Sequence, residues 1–167
     1  MIIEAYKLDV WDKLIERVSI SVPSIIAQDE ALFFSREYQQ IPTPINLQAL
    51  SKTNRIQIVE ATLQEIQGIQ SVFDRVFIEQ IHPGEAEALA ILHSRENFDH
   101  HVCTSDSMAI RAIAMLDRSH LAISFEQCLA QNGLQKPLEV QFKKEFFREN
   151  LKIGQTMRIT GEGLAMK

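Results

Sequence analysis

The stretch over residues 83–106 restricts the fold more than any other part of the chain. It opens on Pro83-Gly84-Glu85-Ala86-Glu87-Ala88-Leu89-Ala90. The proline suits a first helical turn, and acids there are favoured by the positive end of the helix dipole. It closes on the compact apolar run Val102-Cys103-Thr104, then Asp106, and a new helical pattern follows over 107–116. Asp106 therefore stands at the carboxyl end of a strand, the side on which open α/β sheets bind ligands. Glu85 and Glu87, two residues apart, point about 200° from each other on an ideal helix, so only the looser geometry of a helix start would let both face one point.

The rest of the chain alternates in the same way. Over 1–17, Ile3, Tyr6, Leu8, Val10, Trp11, Leu14 and Ile15 recur at roughly helical intervals, and Trp11 on that apolar face reads as a packing anchor rather than a base-stacking group. Ser19-Ile20-Ser21-Val22 alternates and then meets Pro23, a short strand handing over to a helix expected over 23–38. Residues 39–44, with Pro42 and Pro44, read as a loop; a strand over 55–59 and a helix over 63–76 follow. A helix over 124–131 should stop at Asn132-Gly133, since both residues tolerate a left-handed backbone. Over 138–151, Leu138, Phe142, Phe146 and Leu151 lie among Lys143, Lys144 and Arg148, which reads as a helix with buried rings and solvated cations before it reads as a nucleic-acid surface. Residues 155–160 read as a terminal strand, with Gly161 and Gly163 at a loose end.

Gly84-Glu85-Ala86-Glu87-Ala88 resembles the acidic helix start of the PIN-like nuclease superfamily, and a similar run occurs in the related flap endonucleases. Thr104-Ser105-Asp106 resembles the family's Thr-x-Asp strand end, and Ala122-Ile123-Ser124 through Leu129 its closing strand and last helix. Val22-Pro23 followed by Ile25, Ile26, Asp29 and Glu30 is similar to the start of its second helix. The match spans roughly residues 5–133. It implies an α/β fold of three layers, α/β/α, around a mainly parallel sheet, with a PIN-like domain over 1–133 and a helix-and-strand extension over 134–167. It also implies a metal-dependent ribonuclease, of the toxin type, in which Asp29 or Glu30, with Glu85, Glu87 and Asp106, would gather Mg²⁺ or Mn²⁺, Asp29 being favoured over Glu30 by its interval from Pro23. An antitoxin-like protein partner and a homodimer go with that resemblance.

The family begins with an apolar strand ending in an aspartate that is typically its first metal ligand. Here Met1-Ile2-Ile3-Glu4-Ala5-Tyr6 resembles the part after that aspartate, and Asp9 and Asp12 inside the first helix are poor substitutes. Either the start is placed too late, or the chain is a degenerate member with an incomplete metal site. In both cases nuclease activity should be weak or absent, and the chain could serve as a noncatalytic RNA- or protein-binding module. Neighbouring strands would be left with unpaired edges, to be filled by residues 155–160 or by a partner chain.

Charge and cysteines narrow the setting. A net charge of −5 gives no basic field for gripping phosphates, although carboxylates that hold metal ions can meet a phosphate directly. Cys103 and Cys128 have no metal-type spacing and make no disulfide framework. Glu4, Lys7 and Asp9 interrupt the opening apolar residues, which argues against a signal peptide and, with no long apolar run, for a cytoplasmic protein without a membrane span. His82, His93, His100 and His101 lie near the acids, and no general acid is assigned among them.

Overall fold

The computed structural model describes residues 1–36, 41–95 and 99–165. It is a mixed α/β structure with short parallel strand pairs. The expected helix over 1–17 is two helices, α1 (Ile2–Lys7) and α2 (Trp11–Arg17). The break falls at Asp9, whose φ of 55° ends the helical path. It lets Tyr6 stack between Trp11 and Phe34, with ring centroids 5.3 Å apart in each pair. Trp11 is 3% exposed, the anchor its sequence position suggested.

Strand β1 (Ser21–Pro23) follows, and the chain then turns through a π-helical segment, Ile26–Glu30, rather than a helix reaching residue 38. Ala31 leaves helical geometry, and β2 (Phe33–Phe34) pairs antiparallel with β3 (Thr43–Pro44), where a loop had been expected. The remainder of that expected helix and loop, residues 37–40, lies outside the described residues. After α3 (Leu47–Lys52), β4 (Gln57–Val59) runs parallel to β1 in the register Val22↔Ile58.

Helix α4 (Leu63–Val72) begins with a capping box between Thr62 and Glu65. It stops at Phe73, short of the expected 76, because Asp74 caps the separate turn α5 (Arg75–Ile78) by accepting from the Phe77 N–H at 2.8 Å. Helix α6 (Pro83–Ser94) starts on its proline as expected, β5 (Val102–Cys103) precedes α7 (Ser107–Met115), and β6 (Ala122–Ile123) pairs parallel with β5. Helix α8 (Phe125–Gln131) is followed by Gly133 at φ 64°.

Residues 155–160 are not a strand. They complete α9 (Lys144–Thr160), which ends on left-handed Gly161. Phe147 and Met157 face inward from α9 while Arg148 and Lys152 are exposed, the solvated-cation arrangement. Helix α9 lies against α7, where Gly154 is indispensable to the close approach: a Cβ there would sit 2.8 Å from the Arg111 Cα and from the Ala114 Cβ. Arg111 Nε also donates to Asn150 Oδ1 at 2.9 Å across the same seam.

Two apolar cores result. One gathers α1, α2, β1, β2 and α3 with Phe125, Leu129 and Leu134; the other gathers α4, α5, α6, α7 and Met157 of α9. Among the described residues no helix is long and apolar enough to cross a membrane.

Candidate functional site

Three of the expected acids converge where β1 and β5 end. Glu30 closes the π-helical turn after β1, Glu85 lies in the first turn of α6, and Asp106, two residues beyond Thr104 and three beyond the end of β5, caps α7. Glu30 Oε1 accepts from the Gly84 N–H at 2.9 Å, so this carboxylate answers one of the unpaired amides at the start of α6. The approach favours glycine, because a Cβ at residue 84 would press on Ile26 Cγ1 as well as on the Glu30 carboxylate.

Asp106 is held from both sides. Its Oδ1 accepts from the Ala109 N–H at 2.7 Å, and its own N–H donates to Thr104 Oγ1 at 3.1 Å. His82 Nδ1 stands 3.4 Å from Asp106 Oδ2, which places an exposed imidazole beside the acids. Burial first, and then the charges of Glu30 and Asp106, push the Glu85 carboxyl above its ordinary value. That electrostatic penalty marks Glu85 as the centre of the group.

Glu87 points the other way, as two residues of helix require. It is 2% exposed. Its carboxylate accepts from Ser24 Oγ at 2.7 Å, from the Ile25 N–H at 2.8 Å and from the Ala61 N–H at 3.1 Å. One buried side chain thereby ties α6 to the chain leaving β1 and to the chain leaving β4. Asp29 is exposed, and it is Glu30 that reaches α6. The Ser24 hydroxyl donates to Glu87 and caps no backbone N–H, a tertiary role that no local signal in the sequence announces.

Glu30 and Glu85 also stand at the rim of a cavity of about 760 Å³ whose lining is mostly apolar. In kind, three carboxylates suit a hard divalent cation, and the strain on Glu85 is what a cation beside it would relieve. Their present spacing is open: among the described residues no group of three or more His, Cys, Asp or Glu side chains is placed to hold a metal ion. Comparison with family models, with curated proteins and with solved structures finds no match to this chain.

Proposed function

We propose that the chain is a PIN-like protein whose acidic cleft hydrolyses RNA phosphodiester bonds weakly with the help of Mg²⁺ or Mn²⁺. What supports this reading is the meeting of Glu30, Glu85 and Asp106, from three separate segments, at the carboxyl ends of two parallel strand pairs. A three-layer α/β/α arrangement and a cytoplasmic setting belong to the same reading. Glu85, with Glu30 and Asp106 at its sides, would hold the cation, which when bound lowers the pKa of water and offsets phosphate charge. Gly84 and Glu30 keep the start of α6 facing the cleft, and Thr104 fixes the backbone that carries Asp106. His82, beside Asp106 and exposed, is placed to hand a proton to a departing oxygen.

A second reading, a noncatalytic RNA- or protein-binding module, is favoured by how many carboxylate oxygens are already committed: both of Glu87, one of Glu30 and one of Asp106. Cleavage of a single-stranded RNA with Mn²⁺ separates the two. Slow cleavage that falls at least about tenfold in Glu85→Gln and in Asp106→Asn, and stops with chelator, supports the nuclease. Cleavage indifferent to both substitutions, or RNA binding without cleavage, would overturn it.

A further inference from the structure

The two cysteines of the chain, separated in sequence by all of α7, meet in the wall of the cavity of about 760 Å³. The topology brings them there. Cys103 is the last residue of β5 and lies opposite Ile123 in the parallel pairing with β6. From Ile123 the chain passes through Ser124, which caps α8 by accepting from the Gln127 N–H at 3.2 Å, straight into that helix. Phe125, Cys128 and Asn132 are spaced by three and four residues, one face of a helix, and they line the cavity with Cys103 and Ile123. Helix α8 therefore lays this face beside the end of β5. Both cysteines are half-buried and free, and their thiols are hydrogen-bonded to each other. The pair is not symmetric. That bond draws the Cys128 thiol below its ordinary value, while the same bond, and then burial, push Cys103 well above it. Cys128 is the thiol that ionises first, and Cys103 keeps its proton.

We propose that Cys103 and Cys128 form a reversible redox pair, which low-molecular-weight disulfides of the glutathione type convert to an intramolecular disulfide that fastens α8 to β5. The Cys128 thiolate attacks one sulfur of the small disulfide, whose S–S bond breaks; a mixed disulfide forms on Cys128, and one small thiolate leaves and takes up the proton that Cys128 had lost. Cys103 then loses its proton and attacks the Cys128 sulfur, expelling the second small thiolate, which is protonated in turn. Two protein thiols are oxidised to one disulfide and one small disulfide is reduced to two thiols, so electrons and protons balance. The cavity supplies the approach that a fully packed core would deny to both sulfurs. The bridge closes a loop that holds Asp106, α7 and β6, and by constraining the unfolded chain over that loop it stabilises the fold. A reducing setting keeps such a pair open, and an oxidising one shuts it. The inference is independent of the nuclease reading.

The test equilibrates the 167-residue chain with glutathione and glutathione disulfide, quenches with acid, digests without reduction and measures the peptide linked through Cys103 and Cys128 by mass spectrometry. In the folded chain this peptide should reach half its maximum at a value of [GSH]²/[GSSG] at least about tenfold higher than in the same chain unfolded in urea, because the fold holds the thiols together. The oxidised protein should melt at least about 4 °C above the reduced one. Cys103→Ser should stop at a stable mixed disulfide on Cys128, whereas Cys128→Ser should take up glutathione at Cys103 at least about tenfold more slowly. Equal half-points in the folded and unfolded chain would overturn the proposal, as would disulfide-linked dimers, or glutathione held on both cysteines, in place of the linked peptide. A melting temperature that falls on oxidation, or equal uptake in the two variants, would overturn it too. The linked-peptide measurement needs no substitution, so it decides the matter even if a variant folds poorly.

Discussion

Two glutamates in one helical turn do opposite work. The oxygens of Glu87 meet one hydroxyl and two backbone N–H groups from two other segments. Glu87→Ala strands those donors, and a loss of about 3 kcal/mol or more is expected from urea unfolding. Glu87→Gln should fall between, because the amide oxygen still accepts while its NH₂ confronts a donor. A loss below about 1 kcal/mol for the alanine variant would show that the three bonds do not hold the segments together. Glu85 is strained instead. Its carboxyl titrates above the ordinary 4.5, so between that value and its folded value the native state holds a proton that the unfolded chain has released, and stability falls as pH rises through the window. Glu85→Gln should therefore melt higher than the parent at neutral pH, with the difference closing below about pH 4.5. Mg²⁺ should raise the parent's melting temperature and leave the variant's unchanged; equal shifts in both would place any bound cation elsewhere.

Gly154 decides how closely α9 meets α7. Alanine in a helix interior gains about 1 kcal/mol of propensity over glycine, but here its Cβ would press on the Arg111 backbone, which cannot rotate away. Overpacking of about 1–3 kcal/mol should win, so Gly154→Ala lowers the urea midpoint; a raised midpoint would mean the helices can part without cost. How much was legible follows the same division between local and tertiary causes. Helix α6 with its leading proline, the β5 to α7 passage through Asp106, and the stop at Gly133 carry signals within a few residues, and the sequence shows them. The break at Asp9 and the pairing of Phe33–Phe34 with Thr43–Pro44 do not, because the apolar spacing runs on across both and only contacts with distant rings settle them. Met157 and Ile159 alternate like a strand over 155–160, yet Phe147, Asn150, Gly154 and Met157 keep helical spacing along the buried face of α9. Glu30 rather than Asp29 meets α6 because the π-helical turn changes the rotational phase, which no interval counted from Pro23 reveals.

At the scale of the molecule, the cavity of about 760 Å³ that both cores line should separate units of unequal stability. Helix α7 is packed between α6 and α9, with Ile110, Ala112 and Ile113 at 0% exposure. Helices α1 and α2 are short, six and seven residues, and border the cavity with Ile3 and Ala5 and with Trp11 and Leu14 respectively. Short helices depend on tertiary packing, and one side of theirs borders a cavity instead of packed atoms. Amides of α7 should therefore exchange only through global unfolding, while those of α1 and α2 exchange through a smaller opening with weak denaturant dependence. Glu87 sits at the boundary, since it ties α6, from the second core, to Ser24 and Ile25, which leave β1 of the first. Glu87→Ala should then lower the opening energy of α1 and α2 more than it lowers that of α7. Native-state hydrogen exchange at low urea reads both quantities on one sample. If the amides of α1, α2 and α7 share one opening energy in the parent, the two cores unfold as a single unit and the cavity is no mechanical boundary.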